Sequence, residues 1–482
     1  MRIRNLLAGF QKSFCCGFSA LMLLSLVAFC QTSAAAAPLN CLNTKLLEAS
    51  AQQYDEAARL LQEAALNLKA GKLDVAEPLI RRALESEPKN SDAHNLLGII
   101  LDQRGKLSEA EQSYRNALRL RPQAISPLAN LGVLLARSNR YEEAIRTLDS
   151  VLKVAPDHPQ ATINLGLVHA RLRNYERASI LLTRANEQQP GSYDILYQLG
   201  VSLYNINHLD RAAGVMESAA ALAPTEAEPL YYRGLISYAR GQEEAAGQFW
   251  EKAVQLRPDY AAANFMLGEL LRKHGLILPA KDFYERAQRQ DPSQPVHHIR
   301  LGGVYILGGE FGLALETFQR AAQLFPELAE VDYLIGLAAR GTGNYVLARA
   351  ALSKALVRRP NNADALALLG AILSDQGENV ESEKLLRKAI ALNDKHFNAY
   401  HDLGSLLLRT RRYIDSLAVL RRAAALNSRN PEIRYKLFLV LSRLKRHDEA
   451  KHELALFRQL DEDRKKRRLV DPEEDIEGRS KP

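Results

Sequence analysis

Four clusters in this 482-residue chain hold residue types that could do chemistry at close spacing. His447 and His452 flank Asp448 and Glu449, a set that could coordinate a metal. A zinc-protease helix, however, needs its two histidines four apart on one helical face, and these are five apart. His297 and His298 are adjacent, so on a helix their side chains diverge by about 100° and cannot share one ligand. Gly303, Gly308, Gly309 and Gly312 resemble a phosphate-binding loop in composition, but a P-loop needs Lys and Ser or Thr after its last glycine, and here Glu310 and Phe311 intervene. Residues 464–468, Arg-Lys-Lys-Arg-Arg, form a basic run that could meet anionic partners, but 471–477 is mostly acidic. None of these arrangements assembles a nucleophile with its base, a metal shell or a phosphate cradle. We expect no metal, no cofactor and no enzyme active site.

The elements that carry these residues follow a strict period. Gly98, Gly132, Gly166, Gly200, Gly234, Gly268, Gly302, Gly336, Gly370 and Gly404 stand 34 residues apart. Such a period marks one supersecondary unit copied along the chain. Each glycine lies inside an apolar helical pattern, where glycine costs roughly 1 kcal/mol relative to alanine. The repeated cost implies close approach of a neighbouring helix. Twelve residues on, a small residue recurs, from Ala76 and Ala110 to Ala450, with Ser382 and Ser416 as substitutes. Nineteen residues on, a second small site runs from Ala83 to Ala423, broken by Val151 and by Phe457 in the last unit. Proline follows at 24 residues, from Pro88 to Pro360, and ends each helix. The mid-unit turn often holds glycine, as at Gly71, Gly105, Gly241 and Gly275. Each unit therefore reads as helix, turn, helix, stop. The glycines at 302 and 309 belong to this register, which removes the phosphate-loop reading.

Leu97-Gly98, Leu101, Ala110, Tyr114, Ala117 and Pro122 in one unit, and Leu267-Gly268, Leu271, Ala280, Tyr284, Ala287 and Pro292 in another, resemble the tetratricopeptide repeat (TPR). The resemblance implies an all-α, right-handed solenoid. In this register units start at 57, 91, 125, 159, 193, 227, 261, 295, 329, 363, 397 and 431, so about twelve units cover 57–464. The flanking units are atypical: Ala64 and Phe438 replace the glycine. The last three units carry Asp394, Ser428 and Glu462 where proline is expected, which suggests differently set joints.

Residues 1–36 read as a secretory signal, with Arg2, Arg4 and Lys12, an apolar run from Phe14 to Cys30, and small residues before Pro38. The alternative is an uncleaved membrane anchor. Cleavage would leave Cys41 as the single cysteine of four, so cohesion would rest on helix packing. It would also remove three positive charges, taking the formal net charge from +8 to +5, too mild to mark a nucleic-acid binder. Residues 37–56 would be a lead-in segment and 465–482 a charged disordered tail.

By the same resemblance, the first helix of each unit lines a concave face through unit positions 2, 5, 6, 9, 12 and 13. These positions hold Tyr197, Tyr204, Tyr231, Tyr232, Tyr238 and Phe265. The rings either contact a bound partner or pack against neighbouring helices. Position 6 holds Asn130, Asn164 and Gln198 in successive units, similar to a short piece of the asparagine ladder in the TPR region of O-linked N-acetylglucosamine transferases. Charges at these positions are mixed, from Asp92 and Asp102 through Arg137 and Arg171 to Arg272, Lys273 and Arg300, and do not resemble the carboxylate clamp of chaperone-binding members. The expected function is a non-enzymatic interaction scaffold for a peptide segment or partner helix. The rivals are a non-catalytic subunit of an envelope secretion or polysaccharide-synthesis complex, and a membrane-tethered adaptor. Nucleic acid is not an expected partner, nor is the membrane once the signal is removed. The protein would act in the periplasm or outside the cell.

Overall fold

The computed structural model describes residues 55–470. Residues 1–36, the expected signal, and most of the expected lead-in lie outside the described residues. What is described is an all-α repeat solenoid of helix-turn-helix units: a helix over 55–69, then 23 more from Leu73–Ser86 to His447–Val470. None of these helices is long and apolar enough to cross a membrane. Two compact parts divide at Ala223–Pro224. In the first, five helix pairs run from residue 55 to Leu222, and in the second seven run from Glu228 to Val470.

The recurring glycine is explained inside each unit. An added Cβ at Gly98 would lie 2.5 Å from Tyr114 Cε1, at Gly132 2.6 Å from Leu148 Cδ2, and at Gly370 2.8 Å from Leu386 Cγ. The second helix of the unit lays one large side chain, 16 residues on, against the bare glycine backbone. Trp250, Tyr284, Phe318 and Leu420 do the same at Gly234, Gly268, Gly302 and Gly404, and all four are fully buried. The approaching helix is thus the partner within the unit, and the small residues at Ala110, Ala117 and their equivalents complete the close packing. Where Ser382 and Ser416 replace alanine, each Oγ donates to the carbonyl of its unit's glycine, at 2.7 and 2.8 Å, which satisfies the buried hydroxyl. Phe438 is tolerated for the same intra-unit reason: its counterpart Leu454 is only half-buried, and the ring instead sits 5.9 Å from Tyr435.

The mid-unit turn is left-handed in all twelve units. Glycine takes this conformation in seven, with φ from 73° to 83°, but Asn139, Arg173, Asn207, Arg411 and Lys445 take it at φ 59–63°. The helix end explains the demand. Arg173 N–H donates to the Ala170 carbonyl and Asn174 N–H to the His169 carbonyl, a pair of bonds that closes only with a left-handed residue between them.

The joints lacking proline keep the same backbone turn. Asn90 N–H donates to Glu87 O at 3.1 Å across Pro88, and His396 N–H donates to Asn393 O at 3.1 Å across Asp394. Asn430 N–H reaches Asn427 O at 3.4 Å across Ser428, so the expectation of altered joints is corrected at 394, and at 428 the same turn is kept with a longer bond. Asn393 Oδ1 accepts from Lys395 N–H and Asn427 Oδ1 from Arg429 N–H, at 3.0 and 3.2 Å. A side-chain turn replaces the restraint that proline supplies elsewhere. The last helix also continues past residue 464 to Val470, so the basic run lies on helical backbone, with Lys465 paired to Asp461 at 2.8 Å. Residues 471–482 lie outside the described residues.

Candidate functional site

In the first part, the candidates sit on the helices Ile125–Arg137, Pro159–Arg171 and Tyr193–Asn205. Asn130, Asn164, Tyr197, Gln198 and Tyr204 are all half-buried. Asn130 Nδ2 donates to Oδ1 of the buried Asn95 on the preceding first helix, at 3.1 Å. Asn164 Nδ2 donates to the Gln160 carbonyl one turn earlier, at 2.7 Å. The carboxamide of Gln198 makes no hydrogen bond among the described residues. Tyr197 stacks on Tyr193 with centroids 5.9 Å apart and planes 6° from parallel. Burial pushes the Tyr204 hydroxyl pKa up, so it remains a donor at neutral pH. The three amides differ in their internal bonding: Asn130 and Asn164 each use one Nδ2 hydrogen within the protein, and Gln198 uses none among the described residues.

In the second part, Tyr231, Tyr232, Tyr238 and Phe265 are likewise half-buried and belong to one aromatic cluster per helix pair. Tyr231 meets Tyr232 edge-on at 5.5 Å and Tyr260 at 5.1 Å. Tyr238 lies 5.8 Å from Trp250, whose Nε1 donates to the Tyr231 carbonyl at 3.2 Å. Lys273 Nζ stands 5.3 Å over the Tyr238 ring, a cation–π contact. Phe265 touches Tyr284 at 5.7 Å and His297 at 5.1 Å. The rings thus pack against neighbours and also keep part of their surface toward solvent.

The charges beside these rings are mostly paired between units. Glu269 receives Arg300 Nε at 2.8 Å, the Tyr284 hydroxyl at 2.5 Å and Arg272 at 3.2 Å. Burial works to raise the Glu269 pKa, but these bonds and the two guanidinium charges hold it below the usual carboxylate range. Asp102 pairs with Arg137 at 2.8 Å, Asp92 with Arg121 at 3.1 Å and Glu228 with Arg257 at 2.8 Å. Near the C-terminal end, His401 Nδ1 lies 2.8 Å from Asp402, and its Nε2 lies 2.7 Å from Lys436 Nζ and 3.2 Å from Glu432. Its hydrogen bond to His401, with Lys436 beside it, takes the Glu432 carboxyl down to about 2.

Both histidines of the 297–298 pair serve the joint before their helix. His297 Nδ1 contacts the Asp291 carbonyl and His298 Nε2 the Pro292 carbonyl, each at 2.9 Å. His94 and Asn264 do the same for Pro88 and Pro258 at the equivalent unit position. Among the described residues no group of three or more His, Cys, Asp or Glu could hold a metal ion.

Sequence reasoning missed Asn95, Glu269 and the His401–Lys436 contact. A signal for several of them exists: Asn95–Asn130, Asp102–Arg137, Ser374–Arg409 and His401–Lys436 are all separated by 35 residues. One period plus one residue is the offset at which adjacent first helices meet.

Three family models match the chain. One is the C-terminal domain of cilia and flagella-associated protein 70, over residues 254–469. Another is the C-terminal ARM domain of tetratricopeptide repeat protein 21, over 16–165, and the third is the tetratricopeptide repeat itself, over 197–261. The chain is a tetratricopeptide-repeat protein. Among solved structures, this TPR protein is similar to YrrB, described as a TPR protein with an unusual peptide-binding site, at 23% identity over 38% of this chain and 95% of that one, with TM-score 0.37. It is similar to pilF of Pseudomonas aeruginosa at 20% identity over 45% and 99% of the two chains, TM-score 0.39. The Cut9–Hcn1 assembly of the APC/C matches at 12% identity over 88% and 96%, TM-score 0.44. No curated relative matches the chain.

Proposed function

We propose that this TPR protein is a non-enzymatic scaffold that captures a protein segment, extended or helical, along its first helices. The observation that carries this reading is the set of half-buried rings at Tyr231, Tyr232, Tyr238 and Phe265, which are fixed by their neighbours yet keep part of their surface exposed. Rigid aromatic side chains supply contact area at little entropic cost, because their rotamers are already restricted before binding. In the first part Tyr197 is held by Tyr193 in the same way, and the Gln198 carboxamide has both a donor and an acceptor to offer a peptide backbone.

The experiment first identifies a partner by cross-linking and mass spectrometry, then titrates it by calorimetry against the Tyr231→Ala/Tyr238→Ala and Tyr197→Ala variants. Binding should weaken at least tenfold in one of them with the circular dichroism spectrum unchanged. Wild-type affinity in both would remove the first-helix faces from the binding role.

We propose further that the protein is exported, on the order of charged, apolar and small residues in 1–36. N-terminal sequencing of the mature protein should find a start near Ala37. Retention of Met1 would favour the tethered adaptor instead. Co-purification with a synthase or secretion subunit would place the scaffold inside such a complex.

A further inference from the structure

The outward faces of the second helices are not alike along the chain. Position 18 of each unit is the second residue of its second helix and is exposed along the chain. It holds Asp74, Ser108, Glu142, Glu176, Asp210 and Glu244 in the first six units, then Leu278, Gly312, Val346, Val380 and Ile414, and Asp448 in the last. Val346 is 81% exposed, Val380 85% and Ile414 76%. Three successive units thus set a β-branched apolar side chain in water where the first six units set a carboxylate or a hydroxyl. Val357, two turns past Ala350 on the same face as Val346, is 82% exposed as well. The helix Tyr345–Arg358 therefore carries apolar side chains on its outer side as well as its packed side, among Arg349, Lys354 and Arg358.

The charge of this face changes with its polarity. The helices Tyr345–Arg358, Asn379–Leu392 and Tyr413–Leu426 carry eight Lys or Arg against three Asp or Glu. Their counterparts Leu107–Leu120, Tyr141–Val154 and Tyr175–Gln188 carry six against seven. Arg387 and Arg421 stand seven residues, two turns, after Val380 and Ile414, so apolar and cationic side chains lie about 10 Å apart on one helix face. Arg421 pairs with Glu449 at 2.6 Å, both about half-exposed and cheap to exchange, and Arg387 shares Glu383 with Arg412, which would keep that carboxylate paired if Arg387 turned to a partner.

We infer that this face, built on Val346, Val380 and Ile414 with Arg387 and Arg421 beside them, is a second docking surface whose occupant is an acidic amphipathic helix of a partner protein. Charge complementarity selects the occupant. Apolar side chains of the incoming helix cover the valine–isoleucine row, and its carboxylates meet the cationic row. A basic helix, with the same apolar pattern, would be repelled. The surface lies on second helices, so it is separate from the first-helix faces proposed above and can be filled at the same time.

The test uses the full chain and a fluorescein-labelled synthetic helix with Leu at i, i+3, i+4 and i+7 and Glu on the flanking positions. A matched peptide carries Lys in place of Glu. Fluorescence anisotropy at low salt should show the Glu peptide binding at least tenfold more tightly than the Lys peptide. Val346→Glu/Val380→Glu/Ile414→Glu should lose that binding at least tenfold, while Tyr231→Ala/Tyr238→Ala should retain it. The substituted side chains are exposed, so circular dichroism and thermal midpoint should stay as in the wild type. Equal affinity for the two peptides, or binding untouched by the triple substitution, overturns the proposal. It is also overturned if sedimentation shows self-association, or flotation shows binding to vesicles rich in phosphatidylglycerol, either one lost in the triple variant and with no peptide binding. Those outcomes would assign the face to a second copy of the chain or to a lipid surface.

Discussion

The indole of Trp250 occupies the volume that any side chain at position 234 would need. Gly234 lets it lie flat on the helix backbone, where its Nε1 reaches the Tyr231 carbonyl at 3.2 Å. An alanine methyl would fall inside the van der Waals shell of the ring. Trp250 is fully buried and has nowhere to move without giving up that hydrogen bond. Gly234→Ala should therefore lower stability by roughly 2–4 kcal/mol, the sum of overpacking and a broken buried bond. Chemical denaturation read by circular dichroism checks this, and an unchanged midpoint would mean that the unit relaxes freely around the ring. The same shift of Trp250 would disturb Tyr238, 5.8 Å away, so the variant also links packing to the proposed binding face. The glycine itself is legible in the sequence as a costly repeated choice. Its reason is less so, because the residue it accommodates differs from unit to unit: Tyr114, Leu148, Met216, Trp250 and Phe318 share size but not chemistry.

At the scale of the helix, what matters is how each element is tied to the joint before it. His298 is fully buried, and its Nε2 caps the Pro292 carbonyl while its Nδ1 is buried without a partner. Burial holds its pKa below the ordinary histidine value, against the bond to Pro292, and the nearby charges of Arg320 and His297 act in the same direction as burial. The unfolded chain therefore takes up the proton more readily than the folded one. The stability His298 contributes is intact above its unfolded-state pKa of about 6.5, and is lost as pH falls from there toward its folded-state value. Asn264 performs the same capping in another unit without titrating, donating to Pro258 O at 3.1 Å. His298→Asn should accordingly keep stability near pH 7.5 and lose less of it than the wild type between pH 6.5 and 5. Thermal midpoints across that range measure the difference. A parallel loss in both proteins would show that His298 does not set the acid sensitivity. Such capping was hidden in the sequence, where paired histidines suggest metal chemistry. Recognising it needs the six-residue reach back to the carbonyl, a distance set by the turn and not by the helix period.

At the scale of the molecule, each compact part is held by contacts between sequence-adjacent helices and between first helices of adjacent pairs. That nearest-neighbour build explains why a single period was enough to read the fold: each unit must satisfy the same interface as the next, so the same small, large and stop residues recur in the same places. The period, the helix-turn-helix unit and the small-residue sites follow from the sequence alone, since they are local or repeat at a constant offset. Tertiary structure decided what lies across that offset. It gave Asn130 and Asn164 one internal hydrogen bond each, and it left the Gln198 carboxamide without one among the described residues. It gathered Arg300, Tyr284 and Arg272 on Glu269, and it left Val346, Val380 and Ile414 in water. The physical reason is that helical periodicity states which residues share a face, whereas burial and pairing depend on which atoms of the neighbouring helix reach that face first.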